Sequence, residues 1–290
     1  MNYQWYPGHM TKARRMMQEN IKLIDLVIEL VDARIPLSSR NPDIDELAGN
    51  KSRILLLNKA DLADAEYNKK WGAYFRGKGL SVVEINSRSG AGIKLIHGTV
   101  QEACREKIER NRKRGIVNRP VRAMVVGIPN VGKSTFINAF AGKACTKTGN
   151  KPGVTKGKQW IRLDKSLELL DTPGILWPRF EAQEVGMRLA FIGSINDDIL
   201  HMDELAMELV YFLQKNYPEA FINRYGLDGL EDVCGGKREE AALEILKMIC
   251  KSKHCYLKGE EFDIARAASM VVDDFRSGKL GRITLEFPEV

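Results

Sequence analysis

The stretch Gly127-Ile128-Pro129-Asn130-Val131-Gly132-Lys133-Ser134 decides how this chain is read. The apolar run Ala123-Met124-Val125-Val126 precedes it and Thr135-Phe136-Ile137-Asn138-Ala139-Phe140 follows it, so the pattern predicts strand, glycine-bounded loop and helix. In that order the three make a phosphate-binding loop. Gly127 and Gly132 let the backbone curl until successive N–H groups face anionic oxygens, and the helix adds its positive N-terminal end at the same spot. Lys133 supplies a mobile charge for β- and γ-phosphates, and the Ser134 hydroxyl is placed to ligate magnesium. Asn130, Val131, Gly132 and Thr135 complete the loop. The implied ligand is a nucleoside triphosphate.

Working outward toward the N-terminus, Leu26–Val31, Arg53–Leu57 and Ser81–Ile85 read as buried strands. They alternate with helices predicted from Thr11 to Ile24, around Ile44–Ala48, around Trp71-Tyr74-Phe75, and from Lys94 to Arg110. That alternation specifies an α/β unit with a mostly parallel sheet covered on both faces. The second strand ends in Asn58-Lys59-Ala60-Asp61. An aspartate there can accept both hydrogens of the guanine edge, Asn58 can bond the base's other side, and the Lys59 stem can lie over the ring. Buried hydrogen bonds of this kind reject the wrong base by as much as ~10⁴–10⁵-fold. Asn86-Ser87, at the end of the third strand, closes the same pocket.

Toward the C-terminus, Thr146–Thr155 is a polar segment whose Thr155 is placed as a switch threonine, hydroxyl on magnesium. Two further strands, Gln159–Leu163 and Leu167–Leu170, lead to Asp171-Thr172-Pro173-Gly174. Asp171 is placed to hold the magnesium shell through water, and the Gly174 N–H to approach the γ-phosphate.

These are the motifs of GTPases in rotated order, base recognition before phosphate loop and switches, so the chain resembles a circularly permuted P-loop GTPase. Trp5-Tyr6-Pro7-Gly8-His9-Met10, Asp32-Ala33-Arg34-Ile35-Pro36, Asp171–Pro178 and Phe275–Arg282 resemble the ribosome biogenesis GTPase A family over nearly the whole chain. The resemblance implies a GTPase stimulated by the ribosome. It would act in late maturation of the bacterial large subunit and be released by hydrolysis. Ile175 stands where many GTPases carry a water-orienting glutamine. His9 matches the family's catalytic histidine, and Asn130 matches a pattern of potassium-stimulated members, in which potassium supplies charge at the phosphates.

The chain has 290 residues, 44% hydrophobic and 29% charged, enough for about two domains. The expected division is a permuted GTPase domain over 1–178, a switch-coupled linker over 179–202, and a small all-α domain over 203–290. No strand pattern recurs in that last part before Arg282–Leu285. Net charge is +7, with basic clusters at Lys12-Arg14-Arg15, from Arg105 to Arg122, and across the C-terminal part. Structured RNA, here the rRNA of a precursor large subunit, is the favoured partner. Five cysteines without paired spacing fit a reducing cytoplasm. No membrane span or signal peptide is read, and the protein is expected to be monomeric. A GTPase of RNA modification or of another ribosomal step is the nearest alternative. A metabolic P-loop kinase would need an acceptor pocket and a base that the sequence does not offer.

Overall fold

All seven residues of strand β1, Leu26–Asp32, are buried. Such uninterrupted burial requires cover on both faces of a sheet, and the strand is apolar except at Glu29, which pairs with Arg40 (3.2 Å) and Arg53 (2.9 Å), and at the terminal Asp32. The computed structural model describes residues 8–116, 119–146, 159–177, 180, 182–227, 229–230 and 238–288. The other strands are β2 (Ser52–Asn58), β3 (Ser81–Glu84), β4 (Val121–Val126), β5 (Gln159–Arg162) and β6 (Leu167–Asp171). They lie in the order β3-β2-β1-β4-β6-β5, every pair parallel except β5 against β6. The carboxyl ends of β1, β2, β3, β4 and β6 therefore all open on one edge of the sheet, where α/β folds bind ligands.

The helices of this part are α1 (Gly8–Asn20), α2 (Asp43–Ala48), α3 (Ala65–Gly77), α4 (Ile93–Ala103), α5 (Arg105–Lys113) and α6 (Lys133–Ala141). Trp71 and Phe75 of α3 pack with Val31, Leu55 and Leu57 to anchor the base-side strands. The helix expected from Lys94 to Arg110 is broken at Cys104. The Ser52 hydroxyl donates to the Ala103 carbonyl (2.7 Å), and Cys104 takes a non-helical ψ of 8°. Beyond the break, α5 has no buried residue and carries Arg105, Arg110, Arg112 and Lys113 into solvent, while the half-buried Lys107 pairs with Asp25.

The chain divides into two compact units, Met1–Gly186 with Glu286–Val290, and Met187–Leu285. In the first, the returning Glu286 caps the loop after β1. Its carboxylate accepts from the N–H groups of Leu37 (2.7 Å) and Ser38 (2.9 Å) and from the Ser38 hydroxyl, while its carbonyl accepts from the Trp71 indole (2.9 Å).

The second unit is built on helices Met202–Asn216, Glu219–Tyr225, Arg238–Lys253 and Ile264–Ser277. Its core holds Leu205, Leu209, Leu213, Ile245, Ile249, Val271 and Phe275. Arg282–Leu285 forms no strand. The Tyr217 hydroxyl donates to the Thr284 carbonyl (3.2 Å) and accepts from its N–H (3.3 Å), taking the place of a ladder neighbour. Among the described residues, no helix is long and apolar enough to cross a membrane.

Candidate functional site

The phosphate loop is shaped by glycines that nothing else could replace. Gly127 has φ +151, and a Cβ there would lie 2.6 Å from the Leu30 carbonyl of β1. Gly132 has φ +93, and its Cβ would meet the Asn58 amide nitrogen at 2.5 Å. Gly132 caps α6, so the N–H groups of the loop and the helix dipole converge on one point. Lys133 is buried in the first turn and donates to the Gly127 (3.0 Å) and Ile128 (2.8 Å) carbonyls. Burial pushes its ammonium down to about 8, with the Asp171 carboxylate pulling the other way.

Asn58, at the end of β2, ties base loop and phosphate loop together. Its Nδ2 donates to the Val131 carbonyl (2.6 Å), and its Oδ1 accepts from the Ser87 N–H (3.1 Å) and hydroxyl (2.8 Å). One side chain thus joins the ends of β2 and β3 to the turn after β4. Lys59 sits in the left-handed region, φ 58°, and donates to the Asn130 carbonyl (2.8 Å). Burial lowers the Lys59 ammonium from its ordinary value, while Asp32 opposes that shift. Ala60 is held by the Ile85 carbonyl (3.1 Å), and Asp61 stands exposed at the rim. Asn86 folds its own turn, accepting from Arg88 N–H (2.8 Å) and Ser89 N–H (3.1 Å). Asn130 has φ 61°.

From the other side, Thr172 fixes the end of β6 by donating to the Val125 carbonyl (2.7 Å). Gly174 then lies against the phosphate loop. A Cβ on it would come within 2.6 Å of the Lys133 amine and 2.9 Å of the Pro129 nitrogen. Ile175 is buried, and its carbonyl accepts from the Asn41 amide (3.4 Å).

A family model described as 50S ribosome-binding GTPase matches residues 122–223. Over 100% of its length the chain is 48% identical to ribosome biogenesis GTPase A of Bacillus cereus, spanning 95% of that protein. The chain belongs to the ribosome biogenesis GTPase A family. It is 36% identical to mitochondrial ribosome-associated GTPase 1 of Mus musculus, covering 98% of this chain and 90% of that one. GDP-bound TM YlqF superposes with a TM-score of 0.66 at 26% identity, covering 95% of this chain and 100% of that one. GNP-bound YlqF from T. maritima gives 0.64 at 27% identity, covering 96% and 99%. As a ribosome biogenesis GTPase A family member the chain is a GTPase, with GTP its substrate. Its sheet is that of a P-loop GTPase whose chain begins at the base-recognition half.

A divalent cation is implied by the family, and the residues present fit one. Asp171 is 1% exposed and its Oδ1 is buried with no hydrogen-bond partner among the described residues. Burial pushes its carboxyl up to about 6 against the pull of Lys133. A hard cation would relieve that orphaned oxygen. Ser134 stands in the first turn of α6, one residue beyond Lys133.

Asn58, Lys59, Ala60, Asp61, Asn86, Ser87, Asn130, Val131, Gly132, Lys133, Ser134, Thr135, Asp171 and Gly174 are all at strand ends, on the loops that follow them, or in the first turn of α6 at one sheet edge. Thr155 and the side chain of His9 lie outside the described residues. Sequence reasoning gave Asp32 no role. It is wholly buried at the end of β1, accepts from Arg34, and pairs with Lys59 at 2.9 Å. The visible signal is an acid two residues before an arginine at a buried strand end.

Proposed function

We propose that this protein is a GTP-hydrolysing assembly factor that binds the precursor large ribosomal subunit and its rRNA. GTP hydrolysis is coupled to a late maturation step and to release. The observation that carries the nucleotide half is the Asn58 bridge to Val131, which sets base loop and phosphate loop one hydrogen bond apart. Asp61 reads the guanine edge from the rim, and Lys133 with the loop N–H groups holds the phosphates. Ser134, Asp171 (through water) and Thr155 would hold magnesium, which when bound would supply positive charge at the phosphates. With Ile175 apolar, His9 positions or deprotonates water, and Asn130 would hold a potassium ion that adds charge. The ribosomal half draws on the names of the relatives and on α5, a basic helix with no buried side chain. The protein acts as a cytoplasmic monomer whose turnover the ribosome stimulates.

Asp61→Asn tests the site. An amide accepts from the ring N–H of xanthine and donates to its carbonyl, so preference should move from GTP toward XTP, with GTP affinity falling about 100-fold or more. Unchanged base preference refutes the assignment. Sedimentation with precursor large subunits tests the rest: association with a non-hydrolysable GTP analogue and release with GDP are expected. Equal binding in both states refutes the coupling.

A further inference from the structure

Asp32 is 0% exposed, so it cannot reach a nucleotide, yet it is wired to the loop that does. It ends β1 directly opposite Asn58 of β2. Its Oδ1 accepts from the Arg34 N–H (3.1 Å) and Nε (2.9 Å), and its Oδ2 from Arg34 Nη2 (2.8 Å). Lys59 Nζ completes the shell 2.9 Å from Oδ2. The Ser39 hydroxyl lies 3.0 Å from the Asp32 N–H and fixes the backbone beneath. The same Lys59 amine donates to the Asn130 carbonyl of the phosphate loop at 2.8 Å.

We propose that Asp32 is a positioning residue of the nucleotide site: its carboxylate holds Lys59 against the Asn130 carbonyl and so sets guanine-nucleotide affinity. The inference deepens the reading of Asn58–Asp61 as the base-recognition loop and rests on it. Two physical facts support it. Lys59 has a left-handed backbone, φ 58°, a strained conformation for a non-glycine residue that persists only where neighbours hold it. Asp32 is also the shared counter-ion of two cations, Arg34 at 1% exposure and Lys59 at 26%. Without the carboxylate the two positive groups repel. Lys59, the more exposed of the two, is the one that can leave, and the Asn130 bond goes with it. Arg34 is pinned by its own burial and cannot substitute.

The test is a double-mutant cycle in the full-length protein, read by GDP and GTP binding and by turnover at saturating GTP. Asp32→Asn should raise both Kd values about tenfold or more while kcat at saturation stays within about threefold. Lys59→Met should raise both Kd values by a similar factor. Because both act through one contact, the double variant should be no worse than about twofold beyond the weaker single. A merely structural role predicts a lowered melting temperature with unchanged Kd, or effects that multiply; either result overturns the proposal. Should Asp32→Asn fail to fold, Asp32→Asn/Arg34→Met removes the acid and its most dependent cation together, and carries the same cycle. Asp61→Asn separates the two levels. If base preference does not move, the base-loop reading falls. If it moves while Asp32→Asn leaves Kd unchanged, only the role of Asp32 falls.

Discussion

Asp32 and Asp171 end strands on either side of the phosphate-loop strand, and both are almost completely buried. Their chemistry is opposite. Burial alone would raise the Asp32 carboxyl, but Arg34 and Lys59 outweigh it and hold the group well below the usual carboxylate range. Asp171 has Lys133 near it, yet burial wins, and one oxygen is left without a partner among the described residues. The first acid is saturated by the protein; the second is kept hungry. A buried carboxylate whose lone pairs are all taken belongs to the frame. One with a lone pair unspent is built for something the chain does not itself supply.

Substitution should separate the two. The largest effect on stability is expected at Asp32→Asn, which strands Arg34 and Lys59 without a counter-ion and should cost about 3–5 kcal/mol in chemical denaturation. A cost below about 1 kcal/mol would mean the pair is not holding the frame. Asp171→Asn should reverse the pattern. Hydrolysis should fall about 10²–10³-fold in magnesium, while the nucleotide-free protein loses no more than about 1 kcal/mol, since the charge removed was poorly solvated. Full activity would deny Asp171 its place at the cation.

The smallest effect is expected in the helical unit, where Asp274 is also saturated, by Arg224 (2.7 and 3.2 Å) and the Tyr225 hydroxyl (3.1 Å). Burial would raise its carboxyl, but those hydrogen bonds and the Arg224 charge lower it below the ordinary 3.8. A lowered folded-state value means stability present above 3.8 and lost as pH falls through the folded value. Asp274→Asn should therefore cost about 1–2 kcal/mol at pH 7, Arg224 being partly in solvent, and progressively less as pH falls below 3.8. An acid-unfolding curve unaltered by the substitution would break the parallel with Asp32.

Much of this was legible in the sequence because its signals are local. Gly127 and Gly132 declare backbone that no side chain tolerates, and β1 and β2 declare two-sided burial by apolar runs, interrupted in β1 by Glu29. Asn58-Lys59-Ala60-Asp61 could be placed at a strand end for the same reason. Long-range pairings carried no such mark. The Ser52 hydroxyl that breaks the helix at Cys104 and the Tyr217 hydroxyl that occupies Thr284 act across 51 and 67 residues. The Lys59–Asp32 pair needs two neighbouring strands in register before it exists. Charge counting was also incomplete. Arg122, Arg276 and Lys279, counted toward an RNA surface, are engaged by Glu168, Asp197 and Asp274. Lys107 and Arg119 likewise share Asp25.

Glu286 governs how this protein can be dissected. Ending the polypeptide before the helical unit would also strip the nucleotide-binding unit of the carboxylate that caps Leu37 and Ser38 and of the carbonyl that receives the Trp71 indole. A shortened product would then report damage to its own interior rather than the absence of the helical unit. Only an excision that splices Glu286 back onto the retained chain removes one unit without wounding the other.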